Sequence, residues 1–180
     1  DNITNDSTPN ISVGSLISGA TATVSATNGA VTKTCSFLAS AGSCDLPELS
    51  DGTWTLSASQ SYNSQTSSVS STLSITVDTV APEVTSIAIT PDATSANQLN
   101  VVINYGEAPA WVDTSKIFKS GTSTTWSATT PQVSGSTITF SMTSSSLING
   151  TLLVTSPVGA AKDTAGNLQT LAVSETETVV

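Results

Sequence analysis

The chain has 180 residues, of which only 9% are charged, and its formal net charge is −9 with no histidine. The four basic residues are Lys33, Lys116, Lys119 and Lys162, too few for the cationic footprint that nucleic acid or an anionic membrane surface requires. No run approaches the ~20 apolar residues of a membrane-spanning helix. The acidic balance leaves room for a hard divalent cation. Asp1 stands where a Met would open a full reading frame, so the chain reads as a mature or excised piece, and the lack of a signal peptide does not speak against secretion.

Asp1–Ser7 is polar and reads as the tail of a linker. From there the chain alternates. Ile11 and Val13 open a first strand. Ala20, Ala22, Val24 and Ala26 interleave with Thr and Ser, the period of a strand with one buried face. Asn28-Gly29 signals a hairpin turn, and Val31–Leu38 is the strand that follows. Cys35 and Cys44 flank a short turn near Ser40–Ser43. A hairpin there would set the two cysteines opposite each other, and without His no zinc or redox motif fits their spacing. A disulfide is expected, with two buried thiols as the alternative. It would place the chain in an oxidising compartment.

Leu49-Ser-Asp51-Gly52 is a turn that feeds a strand with Trp54, Leu56 and Ala58 on one face. Trp54 reads as a core anchor, similar in place to a tyrosine corner. Val69, Leu73, Ile75 and Val77 predict a last strand over Val69–Val77 with one face buried. Pro82 then removes a backbone donor and holds Ala81 extended. Asp78–Glu83 reads as a short, stiff linker, since it has no Gly or Ser run. Two β domains are expected, residues 1–80 and 81–180. The pattern Asn-Asp-Ser-Thr-Pro9 is echoed by Val-Asp-Thr-Val-Ala-Pro82 at a domain-sized offset, as in a tandem array.

The second half repeats the logic. Strands are expected at Val84–Thr90, Leu99–Tyr105, Lys116–Phe118, Ser123–Ala128, Ser136–Met142, Thr151–Thr155 and Leu168–Ser174. Turns fall at Pro91-Asp92, Gly121, Ser134-Gly135, Asn149-Gly150 and Ala165-Gly166-Asn167, and Ser144–Ser146 is a connection. With no helical period anywhere, the fold class is all-β: two tandem Ig-like antiparallel sandwiches, end to end.

Asp51-Gly-Thr-Trp-Thr-Leu-Ser-Ala58 followed by Leu73-Ser-Ile-Thr-Val-Asp-Thr-Val-Ala-Pro82 resembles the bacterial immunoglobulin-like (Big-type) repeats of large secreted surface adhesins. In that family an Asp-Gly-Thr-Tyr strand precedes a last strand ending Val-Asp-x-x-Ala-Pro. Trp54 departs from the usual Tyr, and a disulfide is mostly lacking in those repeats. Ala161-Lys-Asp-Thr-Ala-Gly-Asn167 is similar to the Asp-x-Ala-Gly-Asn loop of related domains. The resemblance implies a secreted or cell-surface setting and neighbouring Ig-like domains as partners. Such modules serve as spacers, linkers and binders alike.

Catalysis is not expected. No histidine or arginine is present, no Gly-x-Ser-x-Gly elbow appears, and the thirteen acids form no recognisable pair. The leading reading is a structural and adhesive rod segment. The alternative is a carbohydrate-binding module in which exposed Trp111 and Trp126 stack on sugar rings or surface glycans; the favoured reading of both side chains is as half-buried packing residues, since aromatic residues usually work through burial. A phage or surface-layer part fits the same residues. Calcium is a further expectation. Strand order in a seven-stranded sandwich would bring Asp51 and Asp78 near the linker, and Glu83, Asp163 and Asn167 with them, to supply the oxygens calcium takes. A solvated acidic junction without metal is the alternative.

Overall fold

The computed structural model describes residues 2–121, 126–144 and 150–179. Every regular element in that range is a strand. The chain divides into two compact units, Asp1–Val80 and Ala81–Val180.

In the first unit the strands are β1 (Ile3–Thr4), β2 (Asn10–Ser12), β3 (Thr21–Asn28), β4 (Val31–Leu38), β5 (Ser43–Asp45), β6 (Gly52–Tyr62), β7 (Gln65–Thr66) and β8 (Leu73–Val77). One sheet runs β1-β8-β6-β3-β4, with β7 beside β6, and β2 and β5 make a small second sheet. Alternation sets the register. Val24 stands opposite Cys35 and Ala58, Ala26 opposite Leu56, and Trp54 opposite Ile75, so one face of the large sheet is apolar. The core joins that face to Leu46 and Leu49, with Ile11, Val13 and Leu16 packed against it. The outward positions of β3 and β6 are Ser or Thr throughout, and hydroxyl pairs such as Thr23–Ser36 and Thr53–Thr76 span neighbouring strands. Gly29 and Ala30 form a two-residue loop between β3 and β4; Gly29 takes φ of 55°, the left-handed value that glycine adopts without steric cost.

Two expectations need correcting here. Cys35 and Cys44 do not lie on one hairpin. The chain leaves the large sheet after β4, turns through Ala39–Ala41, and β5 pairs with β2 instead. The disulfide, with Cα atoms 6.1 Å apart, therefore ties the two sheets together. The last strand begins at Leu73 and not at Val69. Ile75 and Val77 are buried, whereas Val69 is 63% and Leu73 49% exposed. Ser67 and Ser70 are the reason. Their amides bond to the Gln60 and Ala58 carbonyls, while their hydroxyls accept the Gln60 and Ala58 N–H groups. Three residues on this segment thus span two on β6, and the inside-outside alternation is reset.

The second unit has β9 (Val84–Pro91), β10 (Gln98–Tyr105), β11 (Trp111–Val112), β12 (Phe118–Gly121), β13 (Trp126–Ala128), β14 (Gln132–Ser134), β15 (Thr137–Ser144), β16 (Gly150–Ser156), β17 (Ala161–Lys162) and β18 (Val173–Val179). A sheet in the order β13-β15-β10-β9, with β14 on β15, faces a second sheet β12-β16-β18 across one core; β11 and β17 pair separately. Val101 lies between Ile89 and Phe140, and Ile103 between Ile87 and Ile138. A bulge at Thr85 shifts the β9–β10 register next to Tyr105, and the Thr85 hydroxyl donates to the Asn104 carbonyl. That extra residue lets Val84 and Ile87 face the same core at an odd spacing. The strand expected over Lys116–Phe118 starts at Phe118, and the one expected over Leu168–Ser174 starts at Val173, with Leu168 making only an isolated bridge to Lys162. Ser123–Thr125, Ser145, Ser146 and Asn149, expected in a strand, a connection and a turn, lie outside the described residues.

Candidate functional site

The residues with chemistry to offer fall into three sets: carboxylates in loops, tryptophans, and a buried polar network. Several of the carboxylates already accept hydrogen bonds that pin loop segments. In the first unit Asp51 Oδ1 accepts from the Thr79 amide (3.1 Å) and hydroxyl (2.9 Å), and Asp78 Oδ1 accepts from the Val80 amide at 3.1 Å. In the second unit Glu83 Oε1 accepts from the Thr170 amide and hydroxyl, each at 2.6 Å, and Oε2 from the Leu171 amide at 3.1 Å. Burial would raise the Glu83 pKa, but these donors outweigh it and the net shift is downward from 4.5.

Asp163 closes the Ala161–Asn167 loop. It is 5% exposed, and its Oδ1 takes the Gly166 and Asn167 amides at 2.6 and 2.8 Å while Oδ2 takes the Asn167 side-chain amide at 2.7 Å. The Asp-x-x-Gly-Asn pattern is thus a loop staple: the carboxylate stands in for a missing backbone acceptor, and Gly166 supplies φ of 104°. In Asp51, Glu83 and Asp163 alike one oxygen already has two donors, and that is all its lone pairs accommodate. A cation would have to use the other oxygen. Among the described residues no group of three or more Asp, Glu, Cys or His is placed to hold a metal.

Trp54 is a core residue. It is 1% exposed, and its indole N–H donates to the Ser50 carbonyl at 2.9 Å. A buried ring with its one polar atom tied back to the upstream turn is the tyrosine-corner arrangement carried out by an indole. Trp111 differs. It sits on the two-stranded β11–β17 ribbon opposite Lys162 and is 48% exposed. Trp126 contributes its backbone to β13, opposite Ser144; its side chain lies outside the described part of the structure.

Sequence reasoning missed the third set. Ser156 and Gln169 are fully buried. The Ser156 hydroxyl donates to Gln169 Oε1 at 3.1 Å and lies 3.3 Å from the Tyr105 hydroxyl; Gln169 Nε2 donates to the Ser156 and Leu171 carbonyls at 3.3 and 2.6 Å. Burial raises the Tyr105 pKa, the Ser156 contact opposes it, and the Glu83 charge adds to it. Such a network satisfies every partner and fixes one packing of the loop against the sheet. A lone Gln in a Leu-Gln-Thr-Leu run carries no signal of burial. Nothing in this network holds a nucleophile beside a base.

Residues 1–79 match the family described as bacterial Ig-like domain. The first unit is therefore a bacterial Ig-like domain, and the second lies outside the match. No curated protein matches the chain. No solved structure matches it either. Every described regular element of the chain is a strand, the sequence has no histidine, and among the described residues no constellation is placed to run acid-base or nucleophilic chemistry. No described helix is long and apolar enough to cross a membrane.

Proposed function

We propose that the chain is a rod segment of a secreted bacterial surface protein, a structural and adhesion module with further Ig-like domains as neighbours in its own chain. The observation that carries this is the bacterial Ig-like match over residues 1–79. The Cys35–Cys44 disulfide supports it, since such bonds persist in oxidising compartments. Its work is to extend and display a binding tip carried elsewhere. Small-angle scattering of the intact chain tests it: an elongated two-domain particle is expected, and a compact one overturns the rod.

Calcium is proposed on residue chemistry alone, through the remaining oxygens of Asp51, Asp78, Glu83, Asp163 and Asn167. Extracellular modules bind it at roughly 10⁻⁴–10⁻³ M. Thermal melts with calcium and with chelator decide the matter: an identical melt in both removes the metal, and a shift that survives Asp78→Ala and Asp163→Ala moves it elsewhere.

The carbohydrate reading keeps one observation in its favour, the half-exposed ring of Trp111 beside Lys162. A glycan array with Trp111→Ala and Trp126→Ala separates it from the structural reading. Sugar binding lost in either variant supports it, and binding that is absent or indifferent to both ends it.

A further inference from the structure

The two-stranded sheet of the first unit has an open edge. Leu46 N–H donates to Pro9 O at 3.1 Å and Val13 N–H to Gly42 O at 3.3 Å, and Ile11 pairs with Cys44 between them. Pro9, Ile11 and Val13 thus direct their backbone groups at the β5 side. In an antiparallel pair the intervening residues face the other way. The N–H and C=O groups of Asn10, Ser12 and Gly14 therefore point away from β5, and no strand pairs with that edge among the described residues. Natural edges are guarded by short length, Lys, Pro, bulges or covering segments, and of these β2 shows its short length, three residues. Asn10–Gly14 contains no charge and no proline.

A slot runs beside this edge. Two adjoining cavities of about 310 and 280 Å³ share Val13, Gly14, Ala58 and Ser70. Leu56 and Ala58 of β6 form the floor, and the far wall is the Ser67–Leu73 segment with its exposed Val69 and Leu73. No lining residue is charged. Volumes near 300 Å³ stand at the low end for a binding pocket.

We propose that this slot takes one extended peptide strand from a partner protein, added to β2 as a third strand. Its backbone would pair with Asn10, Ser12 and Gly14, and alternate side chains would lie over Ala58, Val69 and Leu73. Strand addition draws affinity from main-chain hydrogen bonds and selectivity from the alternate pockets. The strand is uncharged, because an ionic group carried into this lining loses hydration and finds no partner. A second copy of this chain is the poorer occupant. Its β2 edge is built into a sandwich beside its own Ser67–Leu73 wall, and cavities of about 310 and 280 Å³ leave little room for that bulk. This inference goes beyond the rod reading and stands or falls independently of it.

The test uses the full chain and a capped peptide of the sequence Thr-Ala-Thr-Val-Ser-Ala-Thr-Asn, which is uncharged and alternates small apolar with hydroxyl residues. Titration followed by amide exchange should show binding, with protection gained at Asn10, Ser12 and Gly14. A second peptide with Lys at the Val and central Ala positions, and a third N-methylated at alternate residues, should each bind about tenfold more weakly or worse. Ser12→Pro deletes an outward-facing donor that β5 does not use, a position where an edge strand tolerates proline. It should abolish binding and leave the melting of the first unit in place. If Ser12→Pro unfolds the unit, the N-methylated peptide decides alone. No binding, equal binding of the N-methylated peptide, or protection away from β2 overturns the proposal. A chain that dimerises through β2, and turns monomeric with Ser12→Pro, overturns it in favour of a second copy.

Discussion

The two units solve the same problem with different means. The first builds its inner face from Ala22, Val24 and Ala26 on β3, so its core is thin, and it adds one large ring, Trp54, and one cross-link between sheets. The second fills its core with Ile87, Ile89, Leu99, Val101, Ile103, Ile138, Phe140 and Met142, and has no cysteine. Small β domains gain stability from buried apolar area, and where area is short a covalent staple supplements it. The comparison teaches that the disulfide and Trp54 carry the first unit together, while the second spreads its stability over branched aliphatic contacts and uses buried hydrogen bonds to fix a loop.

The sharpest way to break the comparison is Trp54→Ala. Truncating a buried aromatic ring costs about 3–5 kcal/mol, and here it also leaves the Ser50 carbonyl without its indole donor. Calorimetry should show the transition of the first unit falling or vanishing and that of the second unchanged. A loss below about 1 kcal/mol would place the ring outside the energetic core.

Reducing the disulfide comes next. Its ends are nine residues apart in sequence, and closing so short a loop contributes about 2–3 kcal/mol in the chain-entropy model. Denaturant melts with and without reductant should lower the midpoint of the first unit alone. An equal shift in both units would mean the cross-link is not local in its effect.

Gln169→Ala probes the buried network of the second unit. It removes the acceptor of the Ser156 hydroxyl and the donor to two backbone carbonyls. Orphaned buried polar groups cost about 1–3 kcal/mol, so the second transition should fall and the first should stay. An unchanged second transition would show that water substitutes for the side chain.

Acid gives the smallest effect. Asp92 accepts from the Thr94 hydroxyl and from Asn100, and its pKa falls from 3.8 to about 2; that of Glu83 is lowered from 4.5. For both groups the unfolded chain binds the proton more tightly than the folded one. Their contribution to stability is whole above the unfolded values of 3.8 and 4.5 and is lost as pH falls, for Asp92 down through about 2. The melting temperature of the second unit should fall over that window. Asp92→Asn should flatten its lower end, and a variant with an unaltered acid profile would dissociate the turn from the pH dependence.

Much of this architecture is legible in the residues. Alternation of Ala and Val with Thr and Ser specifies β3 and its buried face, because side chains on a strand change sides at every step. Gly29, Gly135 and Gly166 mark turns that need positive φ, and Trp54 directly after Asp51-Gly52 reads as a core anchor. Alternation names a face but not a partner. Whether β5 would pair with β4 or β2 depends on contacts far apart in sequence, so only the folded chain shows that the disulfide joins two sheets. Alternation also fails silently at bulges. The Ser67 and Ser70 hydroxyls and the extra residue at Thr85 each reset the count, exposing Val69 and burying Val84 beside Ile87. The carboxylates follow the same division: an acidic residue type is visible in the sequence, but whether its oxygens meet backbone amides is settled by loop geometry, as at Asp163 and Glu83.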